Sequence, residues 1–306
     1  MQMTECELCP RRCRADRFRD DGAPGYCGAA NALRLFRWGP HFGEEPPICG
    51  PSGSGCIFFS RCTMRCVYCQ NSPWSWGGKG EDVTVARLAG IMRELAVDDG
   101  CANWNLVSPT PYLPAIREAA EMLRAEGVHL PFVWNSSGYE SVETLGAYSD
   151  LLDVALFDLR YSTEESAVRH SAAPGYVAAA RAALKWAWRE RGPLDSDEPG
   201  RATRGVICRL LVLPGLAAEA VENLAWIAEN VSTEMHVAVM SQFTPAFAGK
   251  NSPPFDRGVS EEEYSLVTEA AEAFGFEKGW IQGFGASVPS DLLGEQMPPG
   301  HGAVGK

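Results

Sequence analysis

The chain has 306 residues, 45% of them hydrophobic, and a formal net charge of −12. That length suits one large α/β domain with a small appendage, and the acidic balance argues against nucleic acid or anionic membrane as a bulk partner. No run of about 18 apolar residues is present, so no membrane span is expected, and Met1-Gln2-Met3-Thr4-Glu5-Cys6 has no basic region leading into an apolar stretch, so no secretory signal is expected either.

Residues 1–50 are rich in Cys, Arg, Gly and Pro and show little periodicity. They read as a small, loop-rich segment stapled by metal. Cys6, Cys9, Cys13 and Cys27 place four thiols within 22 residues, enough to close a tetrahedral zinc site or to complete a cubane iron–sulfur cluster. An arm this short buries too little core to order itself, so a bound metal is expected to do so. The spacing does not choose between iron–sulfur and zinc, and unliganded thiols are the alternative to both. Arg11, Arg12 and Arg14 would offset thiolate charge in either case. All 11 cysteines sit in a chain long enough to need no disulfide framework, and their close spacings point to metal in a reducing cytosol, hence a cytoplasmic protein. Cys49 and Cys56, flanking a Gly-rich turn, read as packed small residues, with a fourth ligand or a redox thiol as alternatives. Cys101 and Cys208 read as core thiols.

From residue 51 onward, short apolar runs alternate with helical patterns. Strands are expected at 56–60, 103–107, 131–134, 153–157, 206–213 and 236–240, with a further one at 279–282. The runs are nearly continuous in apolar character, as buried parallel strands should be. Thr84 is placed to cap a helix carrying Val85, Leu88, Ile91 and Leu95 on one stripe. Pro111 or Pro114 opens the next helix and Gly127 closes it. Ser260 and Glu263 make a capping-box pattern. Six or seven β-then-α units predict a partial (β/α)6 TIM-type barrel, with a doubly wound sheet as the alternative; sites in both lie at the C-terminal ends of strands. Residues 195–200 read as an acidic loop, and 291–306 as a flexible tail.

The chemistry is concentrated after the first of these strands, in Cys62-Thr63-Met64-Arg65-Cys66-Val67-Tyr68-Cys69. Three thiolates in one loop can hold three corners of a four-iron cluster, where an ordinary ferredoxin uses four. One iron stays open for another ligand. Arg61 and Arg65 suit an anionic cluster. Zinc is the weaker alternative, because structural zinc takes paired sets closing four ligands.

On these residues the chain resembles the radical S-adenosylmethionine (SAM) enzymes, and within them the pyruvate formate-lyase activating enzyme-like proteins with a cysteine-rich N-terminus. The resemblance runs from Cys6 to about Gly285. It rests on Cys6-Glu7-Leu8-Cys9-Pro10-Arg11-Arg12-Cys13, Gly25-Tyr26-Cys27-Gly28, Glu45-Pro46-Pro47-Ile48-Cys49-Gly50, the cysteine loop with Gln70-Asn71, Asn105-Leu106-Val107-Ser108-Pro109-Thr110-Pro111, Trp134-Asn135-Ser136-Ser137-Gly138-Tyr139-Glu140, Arg209 to Gly215 and Met240-Ser241-Gln242-Phe243. It implies a radical SAM core over 51–290, a 4Fe-4S cluster on Cys62, Cys66 and Cys69, and SAM on the open iron. Its amino and carboxylate groups would be chelated there, and one electron would generate a deoxyadenosyl radical. Reduced flavodoxin or ferredoxin is the implied electron donor.

Residue by residue, the resemblance puts Tyr68 near the adenine. Ser108 and Thr110 stand where related activases carry a Gly-Gly-Glu motif for the SAM amine. Asn135 and Ser137 offer polar groups for ribose or carboxylate. Asp158-Leu159-Arg160 resembles an Asp-x-Lys motif, with Arg able to bind a carboxylate bidentately. Arg209, inside an apolar strand, needs a partner: SAM carboxylate, substrate, or an ion pair with Asp153 or Asp158. Arg181, Lys185 and Arg189 share a helical face, read as a solvated stripe or a dock for an acidic electron donor. Gly77-Gly78-Lys79-Gly80 lacks P-loop spacing. The functions implied are hydrogen abstraction from a glycine of a partner glycyl-radical enzyme, or from a small molecule or peptide. The reading of another class is a non-catalytic iron–sulfur or zinc protein.

Overall fold

The computed structural model describes residues 5–18, 22–198, 200–286 and 299–303. Its strands are β1 (Leu33–His41), β2 (Ser54–Phe59), β3 (Glu81–Val83), β4 (Trp104–Val107), β5 (Phe132–Ser136), β6 (Val154–Asp158), β7 (Asp195–Ser196), β8 (Ala202–Leu211), β9 (His236–Met240), β10 (Gly279–Ile281) and β11 (Gly300–His301). Its α-helices are α1 (Pro46–Cys49), α2 (Ser72–Ser75), α3 (Val85–Arg93), α4 (Leu113–Ala125), α5 (Val142–Ala147), α6 (Glu164–Ser171), α7 (Tyr176–Arg191), α8 (Ala217–Asn230) and α9 (Glu261–Ala273). Among the described residues no helix is long and apolar enough to cross a membrane.

One sheet runs in the order β10-β9-β8-β6-β5-β4-β2-β1-β11. From β2 to β10 every neighbour is parallel. β1 lies antiparallel to β2 and also pairs with β3 and β11. Among the described residues the two ends of the sheet do not pair, so the barrel is partial and open.

The parallel strands sort their side chains by period two into separate cores. One row (Trp104, Leu106, Phe132, Trp134, Ala155, Phe157, Val206, Cys208) packs outward against the helices. The other row (Val133, Val154, Leu156, Ile207, Ala238) closes around Ile48 of α1, with Trp280 of β10 against the same cluster. Side chains from β5 through β10 meeting one isoleucine means that the sheet curls around it. On the outside, Leu88, Ile91, Met92 and Leu95 are fully buried, each contributing about 2 kcal/mol over exposure. The Thr84 side chain accepts from the Arg87 N–H, and Ser260 with Glu263 forms both bonds of a capping box.

Two features of the ends were not expected. β1 lies inside the segment read as loop-rich. Its run is interrupted by Arg34, Arg37, Gly39 and Pro40, and Arg37, 2% exposed, donates to the Gly302 carbonyl at 2.5 Å. That partner is too far along the chain for a local reading to supply. Cys6, Leu8, Cys27 and Ala29 join the same core as the outer face of the sheet. Of the tail expected at 291–306, residues 291–298 and 304–306 lie outside the described residues, and Gly300 and His301 pair with Arg37 and Trp38.

Candidate active site

At the base of the curl the inward row is apolar. At the C-terminal strand ends the same row turns polar: Val133 gives way to Asn135, Leu156 to Asp158, Ile207 to Arg209. These end positions line one cavity of about 580 Å³ with Val107, Met240 and Gln282, a volume suited to a small cofactor and substrate.

Cys62, Cys66 and Cys69 line the same cavity. The C-terminal end of α6 grips their loop: the Arg65 N–H donates to Ser171 O at 3.0 Å and the Val67 N–H to His170 O at 2.9 Å. Groups are aimed at the sulfurs. Ser171 Oγ donates to Cys66 Sγ at 3.0 Å, Arg160 Nη1 approaches it at 3.6 Å, and Ser75 Oγ meets Cys69 Sγ at 3.3 Å. Burial, with the neighbouring thiols adding, pushes Cys62 up to about 11 and Cys69 up to about 12. Such thiols do not ionise side by side without a cation between them. The donor set therefore fits an iron–sulfur cluster, which takes thiolates and accepts hydrogen bonds at sulfur. Among the described residues no three His, Cys, Asp or Glu side chains converge to hold a single metal ion; the three thiols border a space rather than a point.

Tyr68 is buried on the cavity wall, its ring against Phe255 at 4.7 Å and Phe243 at 6.0 Å, its hydroxyl 2.7 Å from that of Tyr161. Ser108, Asn135, Ser136, Ser137, Asp158 and Arg160 line the cavity too. Ser108 has φ 58°, a left-handed conformation that a non-glycine residue adopts at a cost of about 1 kcal/mol, held by its N–H to Asn135 O at 2.9 Å. Asp158 and Arg160 form an ion pair at 2.5 Å.

Thr110 is a correction. It does not line the cavity; its hydroxyl is turned away and donates to buried Glu140 Oε1 at 2.7 Å. The 3-10 turn at Thr110–Tyr112 carries the side chain out of the site. Arg209 does line the cavity, but neither Asp153 nor Asp158 is its salt-bridge partner. It is clamped by Glu45 (Nε–Oε1 2.7 Å, Nη2–Oε2 2.6 Å) and by Glu44. Burial alone would lower its pKa; Glu45 and Glu44 hold it well above the usual guanidinium value. Glu44 is in turn held low, against burial, by Arg209. This cluster lines the cavity together with His41, Phe42 and Pro46.

Cys6, Cys9, Cys13 and Cys27 together line a second, much smaller pocket with Thr63 and Thr110. Burial raises Cys9 to about 12 and raises Cys27. Cys49 Sγ contacts Glu44 O at 3.3 Å and Cys56 Sγ contacts Glu44 Oε1 at 3.6 Å, both packed behind the acidic pair. Cys101 and Cys208 are buried. Arg181 and Lys185 lie over the Trp226 ring of α8 at 4.9 and 5.4 Å, so two cations of the expected stripe are engaged within the fold.

Sequence reasoning missed Glu44, His170 and Ser171. Glu44 sits two positions before the Pro46–Cys49 helix, with nothing local to mark its partner Arg209. Ser171 lies 105 positions from Cys66. The turn from apolar to polar along the inward row was a readable signal for Asn135, Asp158 and Arg209 together.

Residues 56–192, just under half of the chain, match the family model described as the Radical SAM superfamily. This stretch is a radical SAM domain. Across 284 residues the chain is 28% identical to an uncharacterized protein of Methanocaldococcus jannaschii, covering 89% of this chain and 75% of that protein. Among solved structures, native anSMEcpe with bound AdoMet overlays with a TM-score of 0.48 at 8% identity, over 78% of this chain. The chain spans 61% of that protein.

Proposed function

We propose that the protein holds a 4Fe-4S cluster on Cys62, Cys66 and Cys69, binds SAM against it, and abstracts a hydrogen atom from a substrate in the same cavity. The observation that carries this reading is the convergence of the three thiols with Asn135, Asp158, Arg160 and Tyr68 on one cavity at the C-terminal strand ends. When bound, the cluster supplies the electron that splits SAM into methionine and a 5′-deoxyadenosyl radical. The rest is positioning by this chain. Arg160 offers its guanidinium to a carboxylate at the cluster side while Asp158 fixes its direction. Asn135 and Ser137 present donors and acceptors suited to ribose. Tyr68 and Phe243, backed by buried Phe255, form an aromatic wall suited to adenine.

A glycine of a partner enzyme is the substrate implied by the resemblance to activating enzymes. A second reading is a small molecule or peptide. It is supported by the Glu44–Glu45–Arg209 cluster, which furnishes charged groups on the wall of the same cavity. The test uses anaerobically reconstituted, reduced protein with SAM. Release of 5′-deoxyadenosine should appear in the wild type and vanish in Cys66→Ala; cleavage that survives in the Cys62→Ala/Cys66→Ala/Cys69→Ala protein rejects the reading. Electron paramagnetic resonance on candidate glycyl-radical enzymes separates the two substrates. No glycyl radical, with deoxyadenosine release stimulated by a metabolite, favours the second.

A further inference from the structure

The four N-terminal cysteines stand apart from the cavity. Each sulfur nevertheless has an N–H pointed at it. Arg17 Nε donates to Cys6 Sγ at 3.2 Å and the Ala29 N–H to Cys27 Sγ at 3.4 Å. The Arg11 backbone N–H faces Cys9, and those of Ala15 and Tyr26 face Cys13. Such donors are what thiolates bound to metal accept.

Arg17 adds an independent observation. The residue is 2% exposed, and among the described residues its hydrogen-bond partners are Cys6 Sγ, Ala30 O and Pro111 O. None is a carboxylate. A buried cation without a counter-charge is costly, and an anionic metal–thiolate centre supplies that charge at Cys6. Gly25 makes the room: a side-chain carbon there would lie 3.5 Å from Cys13 Sγ, 3.6 Å from Cys27 Sγ and 3.4 Å from Arg17.

Zinc and an iron–sulfur cluster both take four thiolates. What favours the redox-active centre is the contact this segment makes with the Cys62–Cys69 loop.

The two cysteine loops touch. Arg11 Nε donates to the carbonyl of Thr63, next to Cys62, at 2.6 Å. Arg65 Nη2 donates to the carbonyl of Tyr26, next to Cys27, at 2.9 Å. Gly28, at φ 83°, lies so close to Arg61 that a side-chain carbon there would sit 3.0 Å from its guanidinium. On the far side Cys13 is exposed.

We infer that Cys6, Cys9, Cys13 and Cys27 hold a redox-active iron–sulfur cluster that passes the electron from solution to the back of the Cys62–Cys69 loop. It rests on the proposed function for its electron acceptor. A reduced one-electron carrier of the ferredoxin or flavodoxin class loses one electron at the Cys13 side. The N-terminal cluster gains it and hands it to the cluster on Cys62, Cys66 and Cys69. No bond or proton moves in the relay.

The test is anaerobic reconstitution of the full chain with iron and sulfide. Wild type should hold about eight irons, and the Cys62→Ala/Cys66→Ala/Cys69→Ala protein about four, with a reduced-state paramagnetic signal that SAM does not alter. Four irons in wild type, or one tightly held zinc at the N-terminal thiols, overturns the inference. Should the triple variant fail to fold, Mössbauer spectra of wild type resolve one cluster environment or two. Stopped-flow reduction by reduced ferredoxin then tests the relay. Reduction of the SAM-sensitive cluster should slow at least tenfold in Cys13→Ser, and an unchanged rate overturns the relay. Eight irons without SAM cleavage would sink the functional reading alone; SAM cleavage with four irons would sink this one alone.

Discussion

Arg160 holds Asp158, two positions before it, and the sulfur of Cys66, 94 positions before it, with one guanidinium: 2.5 Å to Asp158 Oδ2 and 3.6 Å to Cys66 Sγ. A cation fixed beside a cluster ligand stabilises the more negative, reduced state of the cluster. Arg160→Gln should therefore retain its iron but make the SAM-site midpoint more negative by about 60–120 mV, the one-electron equivalent of a charged hydrogen bond of about 1.4–2.8 kcal/mol. A spectroscopic redox titration reads this directly, and an unchanged midpoint would mean that the contact carries no electrostatic weight.

Gly138 supports the same ion pair from behind. At φ 75° it lies against the Asp158 carbonyl, which a side-chain carbon would strike. Gly138→Ala should cost more than about 2 kcal/mol of stability, and any folded fraction should bind SAM less tightly because Asp158 and Arg160 are displaced. Equilibrium denaturation and SAM calorimetry measure the two effects; a variant with wild-type values for both would contradict the packing argument.

Glu140 is buried, and burial raises its pKa from 4.5 to about 7 against the opposing Thr110 hydroxyl. The folded state binds this proton more tightly than the unfolded state. Its contribution is complete below pH 4.5, declines as pH rises from 4.5 to about 7, and is then gone. The difference over that window is about 3 kcal/mol. Glu140→Gln should lose less stability than wild type across it, as denaturation midpoints in a pH series would show. Parallel curves would refute the assignment.

Arg209 pairs with two buried carboxylates, Glu44 and Glu45, and His41 Nε2 stands 3.9 Å from Glu44. Arg209→Met should destabilise by about 3–5 kcal/mol, and adding Glu44→Gln with Glu45→Gln should recover most of it. Urea denaturation of the four-variant set checks this. Failure of the double amide change to rescue would show that Arg209 matters for packing and not for charge.

The parallel strands were legible because both of their faces are buried, so they read as unbroken apolar runs; β5, β6 and β9 fall within about two residues of expectation. The cysteine loop was legible because its ligands are local. β1 was not, because its polar residues find partners far away, Arg37 at Gly302 among them. The same reason hid Glu44 and Ser171. Thr110 was misassigned because position after a strand does not fix which way a side chain turns. The resemblance marked the position of a SAM-amine motif, and a 3-10 turn takes the Thr110 hydroxyl to Glu140 instead.

The short outer strands bear on how the protein behaves at high concentration. An open sheet leaves two flanks of unpaired peptide groups, an invitation to another chain's strand. Here one flank ends in β10, three residues long, and on the other β1 is paired by β3 over Leu33–Leu35 and by β11 over Arg37 and Trp38. Among the described residues each rim therefore presents only a few free amides, a short template for a neighbour to zip onto. A chain cut before Gly300 would leave Arg37 and Trp38 without that partner strand and open to strand exchange.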